Sequence, residues 1–128
     1  MIFGVGIDLV NIPRMEAVLK RWGERFVNRV FTGQEARTCY PRVHPAASFA
    51  LRFAAKEAFS KAIGLGMRKG IRWRDIEVFR LPGQAPTIEL YGSALARARK
   101  MGLGRLAVSL SHSEEYAVAF VVGEREGE

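Results

Sequence analysis

Apolar and β-branched residues fill positions 2–10 (IFGVGIDLV) until Asn11 and Pro13 interrupt them, which predicts a strand and then a break. The run that follows, RMEAVLKRWGERFVNRVF, is amphipathic. Pro13 suits a first helical turn, so a helix is expected here, with an interruption near Gly23. Thr32-Gly33-Gln34-Glu35 has the spacing of a capping box and should open a short helix reaching about Cys39. Pro41 and Pro45 punctuate a loop, and a long helix is expected from about Ala46 to Ile63, closed by Gly64. Residues 75–80 (DIEVFR) and 86–91 (PTIELY) read as strands joined by a turn around Pro82-Gly83. Residues 92–101 (GSALARARKM) form a helix stopped by Gly102. LAVSLSHS and EYAVAFVVGE are the last strands, and their link near His112 to Glu115 is short enough for a hairpin. The expected class is α+β: an antiparallel β-sheet packed on one long helix plus shorter helices, in a single domain over residues 1–128.

The final strand adds a demand. Ala117 to Val122 are apolar in succession, whereas a strand with one solvated face should alternate. Both faces are therefore expected to be covered, and a second copy of the chain is the economical cover. The alternative is that the shorter helices do it.

Composition narrows the class. The 128 residues are 48% hydrophobic, which sets disorder aside, and no apolar run approaches the ~20 residues of a membrane span. The opening MIFGVGIDLV lacks a basic n-region, so a first strand is expected there and not a leader. A single cysteine, Cys39, cannot make an internal disulfide and points to the cytoplasm. The formal charge of +7 suits an anionic partner: nucleic acid, a phosphorylated small molecule or an acidic protein.

Three places carry candidate chemistry. On a helical wheel of the long helix, Leu51, Ala55, Ala58 and Ala62 share one narrow sector, small enough to sit close against a sheet. Roughly opposite lie Phe53, Glu57 and Lys61, so Glu57 and Lys61 can point into one neighbouring space. A surface Glu-to-Lys pair is the plain alternative. Asp8 is a carboxylate inside an apolar strand, costly unless a cation meets it. That cation is either a lysine or arginine or a divalent metal, for which oxygen ligands favour Mg²⁺. Ser109 to Ser113 (SLSHS) gathers hydroxyls and an imidazole at a strand end, which suits phosphate or ribose, or else a solvated hairpin. Gly64 and Gly66 would admit close approach of a ligand to the backbone, or merely stop the helix.

Taken in this order, GIDLV, RFAAKEAFSKA and VSLSHS, with FTGQE at Phe31 to Glu35, resemble the holo-acyl-carrier-protein synthases. These form the small bacterial branch of the 4′-phosphopantetheinyl transferases. The resemblance spans nearly the whole chain and implies that family's fold and activity. The activity is transfer of the 4′-phosphopantetheine arm of coenzyme A to a serine of apo-acyl carrier protein, releasing adenosine 3′,5′-bisphosphate and supporting fatty acid biosynthesis. Carried over by motif, Asp8 and Glu57 would bind Mg²⁺ and Lys61 would lie beside the coenzyme A diphosphate. His112, with Ser111 or Ser113, would hold the adenosine 3′-phosphate end. The resemblance also implies a homotrimer with active sites between subunits. Acyl carrier proteins are acidic, so Arg14 and Arg52 become candidates for docking one. The acceptor serine could lose its proton to a water at the metal, to Glu57 or to Asp8. The competing reading is a basic nucleic-acid-binding domain without catalysis. It explains the charge but not the two carboxylates.

Overall fold

The computed structural model describes residues 1–64 and 70–127. The chain opens with β1 (Ile2–Asn11), and Asn11 then caps α1 (Ile12–Trp22) by accepting the Arg14 N–H at 2.8 Å. Gly23, at φ 54°, breaks the amphipathic run where expected and starts α2 (Glu24–Val30). The capping box at Thr32 and Glu35 is present and opens α3 (Gly33–Cys39). The long helix is α4 (Pro45–Ala62). After residue 70 come a single 3-10 turn (Trp73–Asp75), β2 (Ile76–Phe79), β3 (Thr87–Leu90), α5 (Gly92–Met101), β4 (Leu103–His112) and β5 (Tyr116–Arg125).

The antiparallel strands divide into two sheets, β1-β5-β4 and β2-β3. In the larger sheet Asp8 pairs with Ala119, and Ala119 pairs with Leu110, so β5 separates β1 from β4. The expected hairpin joins His112, which pairs with Ala117, to the last strand.

Helix α4 lies on one face of this sheet at very short range. A Cβ built on Gly6 would collide with the carbonyl oxygen of Ala58, and one on Gly4 with that of Ala62. Ala55 and Ala58 are fully buried against the sheet, with Ala62 nearly so. The small-residue sector of the helix therefore meets two glycines of β1, a complement that the helix pattern alone does not disclose. Ala54, Ala58, Phe59, Ile76, Val78, Ala119 and Val121 are buried in the core beneath.

The apolar run of β5 resolves into two faces. Ala117, Ala119 and Val121 are buried beneath the helix. The other face carries Phe120 at 43% exposure, beside its β1 partner Ile7 at 55%, with Val5 and Leu9 also exposed. The shorter helices do not cover this face. It stands open in the single chain.

Candidate active site

Strand β1 carries Asp8 to the flank of α4, where Lys61 reaches it and Glu57, one turn earlier on the same side of the helix, feels its charge. Lys61 Nζ donates to Asp8 Oδ1 at 2.6 Å and reaches toward the Ile7 carbonyl at 3.4 Å. The lysine thus pairs across the helix–sheet junction with Asp8, and the simple Glu57-to-Lys61 surface pair is not the arrangement found. Asp8 is mostly covered, at 13% side-chain exposure, while Lys61 is open at 53%. The hydrogen bond to Asp8, with both nearby carboxylate charges, pushes the Lys61 ammonium above its usual range.

Glu57 lies in the same field. Its carboxyl is held above the usual carboxylate range by partial burial, and further by the charge of Asp8, with Lys61 opposing. Two carboxylates therefore converge, one of them short of positive charge. That deficit is what a divalent cation relieves. Mg²⁺ takes one or two protein carboxylates and completes its octahedron with water and phosphate oxygens, so the donor set fits.

The SLSHS residues fall elsewhere. Ser111 and His112 end β4 and line a cleft of about 450 Å³ with Arg42, His44, Arg52 and Arg80. His112 Nδ1 lies 3.0 Å from the Ser113 carbonyl, which fits the Nδ1–H tautomer and leaves Nε2 to the cleft. Ser113 is engaged in the turn, its Oγ accepting from the N–H groups of Glu115 at 3.3 Å and Tyr116 at 3.2 Å.

Arg52 belongs to this cleft too. It is only 8% exposed; its Nη1 donates to Ser48 Oγ at 2.9 Å and to the Ser48 carbonyl at 3.2 Å. Its Nε is buried without a partner, an arrangement that asks for an acceptor. Arg14, by contrast, is exposed on α1, so the two arginines named as docking residues occupy different environments. Gly64 adopts φ 75° just beyond α4. Gly66 lies outside the described residues.

Helical geometry separates the two groups. At 100° per residue, Glu57 and Lys61 project to one side of the Ala58–Ala62 contact line and Ser48 and Arg52 to the other. Asp8 and His112 sit on β1 and β4, two strand spacings apart, or roughly 10 Å. α4 stands between them. The structure brings Asp8, Glu57 and Lys61 together, brings Arg52, Ser111 and His112 together, and keeps the two sets on opposite flanks.

Four residues escape sequence reasoning. Arg42 and His44 share the loop before α4, and Arg80 follows β2. Lys56, within the long helix, is completely buried and ion-paired to buried Glu35 at 2.7 Å. Burial pushes its ammonium below the usual range, with Glu35 and Glu77 pulling back. The only early signal was a lysine placed among alanines and phenylalanines.

Over residues 4–121 the chain matches the family model of the 4′-phosphopantetheinyl transferase superfamily. It is 48% identical over 122 residues to a holo-[acyl-carrier-protein] synthase of Koribacter versatilis, covering 95% of this chain and 98% of that one. The fold superposes on the crystal structure of a Neisseria meningitidis holo-[acyl-carrier-protein] synthase with a TM-score of 0.88 at 36% identity, covering 98% of this chain and all of the other. A Bacillus anthracis holo-(acyl-carrier-protein) synthase, solved in complex with coenzyme A (3′,5′-ADP), gives 0.81 at 34% identity, over 98% of this chain and 99% of that one. The chain belongs to the 4′-phosphopantetheinyl transferase superfamily, and its near relatives within it are holo-acyl-carrier-protein synthases.

Proposed function

We infer that this chain, acting as one transferase domain, moves the 4′-phosphopantetheine arm of coenzyme A to a serine of apo-acyl carrier protein. The serine oxygen attacks the phosphorus that bears the pantetheine. The bond from that phosphorus to the bridging oxygen breaks, and adenosine 3′,5′-bisphosphate leaves with that oxygen. The observation that carries this reading is the convergence of Asp8, Glu57 and Lys61 in a chain matched to the family along nearly its whole length.

Asp8 and Glu57 are the residues to hold Mg²⁺, which when bound would mask the diphosphate charge and stabilise the leaving phosphate. Lys61 supplies a cation to the same phosphate oxygens, where charge shifts during transfer. Its ion pair with Asp8 keeps it protonated and aimed at that space. The cleft of Arg42, His44, Arg52, Arg80, Ser111 and His112 suits the phosphorylated adenosine end. The partnerless Nε of buried Arg52 supports this assignment, which moves Arg52 from carrier docking to donor binding. Arg14 remains the candidate for meeting an acidic carrier protein, within a surface of net +7.

One donor molecule must touch both residue sets, yet α4 divides them within a chain. A site shared between subunits solves this, and the open apolar face of Val5, Ile7, Leu9 and Phe120 supplies the contact. We read the assembly as a homotrimer in the cytoplasm, its product serving fatty acid biosynthesis. Among the described residues no helix is long and apolar enough to cross a membrane. Nothing in the fold or the relatives favours the nucleic-acid alternative.

Intact-mass analysis of apo-acyl carrier protein, incubated with this protein, Mg²⁺ and coenzyme A, tests the reading. One phosphopantetheine should be added per carrier, and a chelator should stop it. An unchanged carrier mass would overturn the proposed activity.

A further inference from the structure

Lys56 lies next to the metal-binding candidate Glu57 but points the other way, into the protein. Its ammonium has no solvent contact. It donates toward the Ile76 carbonyl at 2.6 Å, Glu35 Oε1 at 2.7 Å, the Val30 carbonyl at 2.9 Å and the Trp73 carbonyl at 3.0 Å. Those four acceptors come from α2, α3, the 3-10 turn and β2, and they more than satisfy the three protons of an ammonium. Glu35 is tied down in turn, accepting from the Thr32 N–H at 2.9 Å and the Val78 N–H at 2.8 Å.

A buried ion pair is rarely the stablest filling for a core; well-packed apolar residues do as well or better. What an ion with four directed partners does better is fix position. On the wheel Lys56 projects almost opposite Ala58, whose carbonyl rests on Gly6. Helix α4 is thus held on both sides, by contact with the glycines and by the ammonium among carbonyls. An apolar side chain at 56 would permit small rotations about the helix axis that four carbonyl and carboxylate partners forbid. Glu57, one residue along, is the group that such a rotation displaces, and metal-binding carboxylates work only when held to within roughly 0.5 Å.

We propose that Lys56 is a positioning residue for the transfer reaction: by anchoring α4 to α2, α3 and β2 it fixes the rotation that aims Glu57 at the metal shared with Asp8. It touches neither substrate nor metal. The proposal rests on the reading of Glu57 as a metal ligand.

The test uses the full chain and Mn²⁺ alone, followed by electron paramagnetic resonance. Three forms are titrated beside the wild type: Glu57→Gln, Lys56→Met, and Lys56→Met with Glu35→Gln. The double variant removes both buried charges, so it leaves no unpaired ion should Lys56→Met alone fail to fold. In the folded Lys56 variants the Mn²⁺ dissociation constant should rise about 10- to 100-fold, the range typical for groups that orient a metal ligand. kcat should fall with it. At saturating metal, KM for coenzyme A should change by less than about twofold, because the Arg52 and His112 cleft lies on the other flank of α4. Wild-type Mn²⁺ affinity in a folded Lys56 variant overturns the proposal. Loss of coenzyme A binding that persists at saturating metal overturns it as well, by showing a general structural role. If Glu57→Gln itself binds Mn²⁺ as the wild type does, the metal reading fails first and takes the proposal with it.

Discussion

Glu57 holds its proton more tightly than an ordinary carboxylate because it is half-buried and faces the charge of Asp8. The sign of the consequence is fixed. A carboxyl whose folded pKa is raised binds more protons than the unfolded chain in that window, so its ionisation subtracts stability as pH rises. A divalent cation requires the ionised form and relieves the repulsion, so proton and metal compete. Thermal stabilisation by Mg²⁺ should therefore be larger at about pH 8 than at about pH 5, and the pH dependence should vanish in Glu57→Gln. Equal stabilisation at both pH values would remove Glu57 from the metal site. The residue types were legible early: a carboxylate in an apolar strand and a Glu-Lys pair one turn apart. What stayed hidden was that Lys61 binds Asp8 and not Glu57. That choice depends on where the strand edge lies beneath the helix, and spacing along the helix says nothing about it.

Elements are joined here by one unusually close contact. The alanine sector of α4 was evident from the wheel, but its complement, Gly4 and Gly6 of β1, reads as an apolar strand with two weak positions. The structure shows why glycine is needed, since any Cβ at Gly6 meets the helix backbone, which cannot yield as a flexible side chain would. Gly6→Ala should therefore destabilise the fold by about 3 kcal/mol or more, the upper range of overpacking costs. It should also spoil the Asp8–Lys61 geometry in whatever folded population remains. Chemical denaturation measures the first, and a loss smaller than about 1 kcal/mol would mean that α4 can lift without penalty. Boundaries marked by local chemistry, such as the Thr32 and Glu35 capping box and the Gly23 break, coincide with the elements found. Splitting of the strands into two sheets had no local signal, because pairing partners are chosen across the chain.

At the scale of the molecule, two half-sites lie on opposite flanks of one helix and an apolar sheet face stands open. A shared site predicts that chains defective in different halves repair each other. Glu57→Ala and His112→Ala proteins, inactive alone, should recover part of the activity when refolded together so that subunits exchange. A stable, fully active monomer in sedimentation would rule out the shared site, whatever the mixing gave.

The sequence by itself determined whatever depends on near neighbours in the chain: the helices and their caps, the hairpin, the small-residue face of α4, the basic charge, and motifs specific enough to indicate the family. It also placed a carboxylate where a cation had to follow. Only the tertiary structure decided which distant groups share a space. It set Arg52 in one cleft with His112, buried Lys56 among four acceptors, and placed Asp8 against Lys61. The physical reason is common to all three. The energy of a buried or half-buried charge is set by what surrounds it in space, and those surroundings come from segments distant in the chain whose juxtaposition no local pattern encodes.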